Sequence, residues 1–151
     1  SNFYDARFVD LAENMDVKPA VLQLETHVFS QQYRMRGLIK DYDTRLMAWG
    51  PLAQGTDGIF TDERLKTVGA RYAQVALKFL TSEGIVAIPK TTHKERMASN
   101  FAIDDFELSA EDMETIRRMD TGKLKTDFND PVLAKYLLDY DKQFNPVNRQ
   151  K

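Results

Sequence analysis

Apolar residues recur along this chain in two alternating rhythms, a helical spacing and short continuous runs, and their alternation predicts strands joined by helices in a parallel α/β fold. Asp5 to Met15 sets Phe8, Val9, Leu11, Ala12 and Met15 at three- and four-residue intervals between Asp10, Glu13 and Asn14, so it reads as an amphipathic helix. After Pro19 comes Ala20 to Glu25, a short apolar run interrupted by Gln23 alone and read as a strand buried on both faces. Ser30 is placed to cap a second helix through about Tyr42, with Tyr33, Met35, Leu38 and Ile39 as its stripe. Arg45 to Trp49 is a second buried strand, closed by Gly50 and Pro51, and Gly50 to Gly58 is a loop.

Thr61 to Ser82 returns to helical spacing through Leu65, Val68, Tyr72, Val75, Ala76, Phe79 and Leu80, and Gly84 stops it. Gly84 to Pro89 is a third strand, and a helix is expected to start near Thr92. Ser109 with Asp112 three residues on marks another helix start, followed by Met113, Ile116 and Met119. Asp130-Pro131 opens a last helix through Tyr140, and a loose polar tail is expected beyond Phe144. No internal repeat or linker divides the chain, which is expected to be one domain over 1–151 with a tail from about residue 123 carrying the last helix.

Length changes this picture, because 151 residues are too few for a closed eight-stranded barrel of about 250. A formal charge of −2 gives no field that would attract nucleic acid. No apolar run reaches the roughly 20 residues that cross a bilayer, so no membrane partner is expected. Cys is absent and Ser1 to Asp10 has no signal-peptide pattern, which together suggest a cytoplasmic protein.

Chemistry concentrates at I-V-A-I-P-K-T-T-H-K-E-R, where a strand end runs into a helix start and collects free backbone N–H groups. Lys90, Thr91, Lys94 and Arg96 add cations and a hydroxyl there; a phosphate site and a solvated basic loop both fit. Trp49, at a strand's C-terminal end, is placed either to stack on a flat ligand ring or to fill the core. The glycines at 50, 55 and 58 do not make a P-loop, since no Lys-Ser or Lys-Thr pair follows in register. His27 and His93 stand far apart with no Cys nearby, which gives a metal site no support. Asp104, Asp105 and Glu107 read as a solvated acidic loop.

Six segments in order carry a further signal: S-N-F, P-A-V-L-Q-L-E-T-H with Q-Q after it, A-W-G-P-L-A-Q-G, A-Q-V-A-L-K-F-L, I-P-K-T, and N-F-A-I-D-D-F-E-L-S. Together they resemble the aldo-keto reductases, in particular the bacterial diketogluconate and glyoxal reductase types. The resemblance implies a partial (β/α)8 TIM barrel beginning at the end of the fifth strand and supplying roughly strands six to eight with their helices. It implies NADPH as cofactor. Ser1, Asn2 and Gln23 match the residues that bind the nicotinamide carboxamide, and Trp49 takes the place of the stacking aromatic. Gly50, Pro51, Leu52 and Gly55 match the loop beneath the pyrophosphate, Lys90, Thr91 and Arg96 the clamp on the 2′-phosphate, and Asn100 an adenine contact.

The chain departs from that pattern in three places. Gly50 replaces a common Ser, Ser99 stands where an acid is frequent, and Arg71-Tyr72-Ala73-Gln74 lacks a short turn after the Tyr, which either fuses two helices into one or marks residues missing from the sequence at that junction. The family's catalytic Asp, Tyr, Lys and His lie upstream of the matched region, so no catalytic residue is assigned within this chain. The implied reaction is reduction of small aldehydes, ketones or α-dicarbonyls, with this chain as the cofactor-binding part and a partner in the missing barrel half. The alternative is a non-catalytic half-barrel that self-associates or binds NADPH without turnover.

Overall fold

Three parallel strands form the frame: β1 (Val21–Glu25), β2 (Arg45–Trp49) and β3 (Val86–Ala87), in the order β1-β2-β3. The computed structural model describes residues 1–69, 71–128 and 130–144. Gln23 pairs with Met47 and Glu25 with Trp49, while Met47 and Ala48 pair with Val86 and Ala87. All three strands run the same way, so their C-terminal ends gather at one edge, where functional loops belong in such folds.

Around the strands lie α1 (Ala6–Glu13), α2 (Tyr33–Lys40), α3 (Glu63–Val68), α4 (Tyr72–Ser82), α5 (Lys94–Phe101), α6 (Ala110–Arg117) and α7 (Pro131–Phe144). Leu22, Leu24, Leu46 and Ala48 point from the sheet into the core, where they meet Phe8 and Ala12 of α1, Met35 and Ile39 of α2, and Val75, Phe79 and Leu80 of α4. Each large side chain buried there contributes about 1.5–3 kcal/mol.

The other face of the sheet is open. Val21 and Val86 are 46% and 44% exposed, and the exposure of Val21 corrects the expectation that Ala20 to Glu25 is buried on both faces. The apolar runs signalled burial, but among the described residues helices cover one side only.

The helix expected over Thr61 to Ser82 is two helices, α3 and α4. Asp62 caps α3 by accepting from the Arg64 N–H, and Gly69 ends it in an extended conformation. A Cβ at Gly69 would lie 3.2 Å from Val75 Cγ2, so the glycine also admits close packing between the two pieces. The absent turn after Tyr72 has no fused helix as its consequence, because the break falls before Tyr72.

Ser30 does not cap α2. It pairs with His27 in an isolated antiparallel bridge, and Gln32, left-handed at φ 57°, precedes the helix. At α6 the expected start is a full reciprocal capping box between Ser109 and Asp112, and at α7 the Asp130 carboxylate accepts from the Val132 N–H. The third strand is shorter than Gly84 to Pro89, and α5 begins at Lys94. The tail expected beyond Phe144 lies outside the described residues.

Candidate functional site

Trp49 ends β2 opposite Glu25, and its half-buried indole donates from Nε1 to Asn2 Oδ1 at 2.8 Å. The Asn2 N–H and Ser1 Oγ both donate to the Gln23 carbonyl, at 2.9 and 3.0 Å. Ser1, Asn2, Gln23 and Trp49, drawn from three separate stretches of sequence, therefore form one connected group. The Gln23 side chain is half-buried on the open face, where its amide donates to Met47 Sδ at 3.2 Å. A thioether is a weak acceptor, so that carboxamide keeps capacity for a stronger partner.

Gly50 follows Trp49 directly and begins the lining of a cleft of about 740 Å³. One wall is the loop, with Gly50, Pro51, Leu52 and Gly55; the other carries Lys90, Thr91, Arg96 and Asn100, from the end of β3 and from α5. Every remaining residue matched to the cofactor site is thus brought to one cavity, while Lys94, named with the same basic cluster, is not in its lining. Gly50 and Gly55 are left-handed at φ 61° and 73°, a conformation that glycine adopts without strain.

The electrical character of this cleft is one-sided. Lys90 and Arg96 line it, and no carboxylate does. α5 has no capping side chain at its N-terminus, and Thr91 Oγ1 accepts from the His93 N–H, holding the turn that leads into that helix. Its first-turn N–H groups add donors and a positive dipole end to the same region.

Sequence reasoning missed Gln54, Phe60, Ala73, Ile88 and Pro89, which also line the cleft. It also missed a charged group beside Trp49. Glu25 is 1% exposed at the end of β1, with Oε1 3.2 Å from His27 Nε2 and accepting from the Lys125 backbone N–H at 3.0 Å. Its Oε2 is buried without a hydrogen-bond partner. Burial pushes His27 below its ordinary value despite the Glu25 hydrogen bond, and burial beside the Glu25 carboxylate pushes the Tyr4 phenol up to about 12. The available signal was Glu25-Thr26-His27, charge and imidazole following an apolar strand without a break.

At the opposite end of the strands, a second cleft of about 530 Å³ is lined in part by Arg36, Lys40, Asp43, Arg45 and Glu83. Glu83 accepts from Arg36 at 2.5 Å and from Arg117 at 2.6 Å. The acidic loop is solvated as expected, with Asp104 and Glu107 meeting Lys78 while remaining 92% and 83% exposed. Among the described residues, no helix is long and apolar enough to cross a membrane.

No family model matches the chain. It is 36% identical over 126 residues to aldose reductase C of Dictyostelium discoideum, a match covering 81% of this chain and 39% of that protein. It is 33% identical over 147 residues to the NAD(P)H-dependent D-xylose reductase I,II of Candida tropicalis, covering 87% and 44%. Methylglyoxal reductase DkgA of Salmonella typhimurium is 30% identical over 126 residues, covering 81% and 46%.

Among solved structures, an aldo-keto reductase from a Medee basin deep-sea metagenome library superposes with a TM-score of 0.81 at 32% identity, covering 86% of this chain and 50% of that one. The NADPH complex of a Gox0644 mutant gives 0.79 at 30% identity, covering 85% and 49%. The chain spans between about two fifths and a half of the length of these relatives.

Proposed function

This chain belongs to the aldo-keto reductase family, and from that premise we propose that it is the cofactor-binding part of an NADPH-dependent reductase of small aldehydes, ketones or α-dicarbonyls. It corresponds, in this reading, to strands six to eight of the (β/α)8 barrel with their helices. The observation that carries the proposal is the 740 Å³ cleft at the strands' C-terminal ends, with two cations and no carboxylate in its lining.

The residues present fit such a cofactor. Lys90, Thr91 and Arg96 supply cations and a hydroxyl suited to a 2′-phosphate, each charge-assisted hydrogen bond being worth about 1.5–3 kcal/mol. Gly50, Pro51, Leu52 and Gly55 offer a wall where backbone comes close, suited to the pyrophosphate, and Asn100 is placed for adenine. Trp49 offers an aromatic face for the nicotinamide, and Ser1, Asn2 and Gln23 offer hydroxyl and amide groups for its carboxamide. Bound NADPH supplies a hydride for the carbonyl carbon. This chain's residues would orient the ring and hold the phosphates; the proton donor to the carbonyl oxygen comes from the part of the barrel upstream of the matched region. The relatives named as aldose, xylose and methylglyoxal reductases support the substrate class.

The test is a fluorescence titration of NADPH and NADH on the protein that carries this chain, followed by NADPH oxidation with methylglyoxal. Micromolar NADPH binding, tighter than NADH, together with carbonyl-dependent oxidation is expected. No saturable binding of either nucleotide would sink the proposal. Binding without oxidation would favour the alternative of a non-catalytic nucleotide-binding half-barrel, a reading that the open apolar face of the sheet also supports.

A further inference from the structure

The loop that walls the cleft is built from unfavourable backbone. Ala53, Gln54 and Asp57 all carry a Cβ and all sit in the left-handed region, at φ 47°, 55° and 57°. Side chains with a Cβ rarely adopt that conformation, and a run of such residues persists where surrounding structure holds it. Tight turns inside the loop contribute, with the Ala53 N–H on the Gly50 carbonyl and the Gly55 N–H on the Leu52 carbonyl, both at 2.8 Å.

A hold from outside comes from Lys125. Its ammonium donates to the Ala53 carbonyl at 2.9 Å and pairs with Asp57 Oδ2 at 2.9 Å, so it grips the loop at two strained residues. The lysine is itself fixed. Its backbone N–H donates to buried Glu25, and the segment around it is tied at both ends. At one end Thr121 donates to the Phe29 carbonyl, and Asp120 accepts from the Gln31 N–H. At the other, Phe128 packs edge-on to Trp49 with ring centroids 6.3 Å apart and stacks on Tyr4. A strap therefore crosses the ends of β1 and β2, and Lys125 reaches from it to the loop.

We propose that Lys125 is a positioning residue that fastens the loop Gly50 to Gly58 in the form that walls the cleft, and so sets how long a bound dinucleotide stays there. The residence-time half rests on the nucleotide reading of the cleft; the fastening half does not. Lys125 is absent from the cleft lining, so it acts through the loop and not by touching the ligand.

The experiment compares wild type, Lys125→Met, Lys125→Arg and Asp57→Asn in the full-length protein that carries this chain. Amide hydrogen exchange is followed at Leu52 to Gly58, and NADPH release by stopped-flow fluorescence. Loss of this charged contact is expected to speed loop exchange and NADPH release about tenfold in Lys125→Met and Asp57→Asn, with Lys125→Arg close to wild type. Exchange in α4 should not change. Asp57 is half exposed, so its variant keeps the test valid if Lys125→Met proves unstable. Unchanged loop exchange in Asp57→Asn overturns the fastening, and faster exchange with unchanged NADPH release overturns the positioning role. A wild type that holds no NADPH defeats the nucleotide reading and the residence-time half with it, while loop exchange still decides the fastening.

Discussion

Clefts of comparable size lie at the two ends of the sheet, about 530 Å³ where the strands begin and about 740 Å³ where they end, and they handle charge in opposite ways. In the first, three cations share the lining with Asp43 and Glu83, and Glu83 takes Arg36 together with nearby Arg117. In the second, Lys90 and Arg96 face a lining without a single acid. Arg36 and Arg117 are charge-balanced by Glu83 within the fold, whereas cations facing neutral walls keep their charge for a ligand. Both clefts are open to solvent and basic. The difference lies in how the positive charge is balanced, and it supports the proposal of structural holding at one end and nucleotide binding at the other.

The largest effect should come from removing the unbalanced charge. Lys90→Ala with Arg96→Ala is expected to weaken NADPH about 100-fold or more, since two charge-assisted contacts are lost. NADH, lacking the extra phosphate, should weaken less than about threefold. Parallel fluorescence titrations decide it, and equal losses for the two nucleotides would remove the 2′-phosphate from the assignment.

At the other end, Glu83→Ala should act on folding alone. It strips Arg36 of its acceptor when Arg36 Nη1 is already buried without a partner. The expected cost is about 2 kcal/mol, below that of a fully buried pair because Arg36 keeps some solvent. Urea midpoints measure it, and NADPH affinity of the folded protein should hold. A midpoint equal to wild type, or an altered nucleotide affinity, would mean the two ends are not separate in function.

How legible these ends were in the sequence follows from the reach of the interactions that make them. The strand cores, the Ser109 start and the Asp130-Pro131 start were readable because each depends on neighbours within a turn or two. The strand-to-helix junction that holds Lys90 to Arg96 was readable for the same reason, a strand end meeting a helix start within a few residues. The break at Gly69 was announced by its glycine, but the apolar spacing on either side matched one continuous helix and concealed it. Glu83, Arg36 and Arg117 come from three different elements and join only on packing, as do Glu25, Asp57 and Lys125, so no local pattern marks either group. The covered and open faces of the sheet differ for a similar reason: apolar strands look alike whether a helix covers both faces or one.

The smallest expected effect concerns acid, and it separates the two ends by pH window. At the proposed binding end, burial holds His27 below its ordinary 6.5, with Lys125 adding to the lowering and the Glu25 hydrogen bond opposing it. The unfolded chain therefore takes up the proton first, and stability declines as pH falls from 6.5 through the folded value. At the holding end, burial raises Glu83, but Arg36 and Arg117 outweigh it and bring the carboxyl below its ordinary 4.5. The stability from Glu83 is present above 4.5 and declines as pH falls through its lower folded value. Acid should thus loosen the Glu25, His27 and Lys125 group before it reaches the Glu83 cluster. Urea midpoints taken from pH 8 to pH 3 should show two separate declines, the earlier one flattened in His27→Gln and the later one in Glu83→Gln. If His27→Gln leaves the earlier decline in place, that decline belongs to another group, and the two ends do not separate by pH.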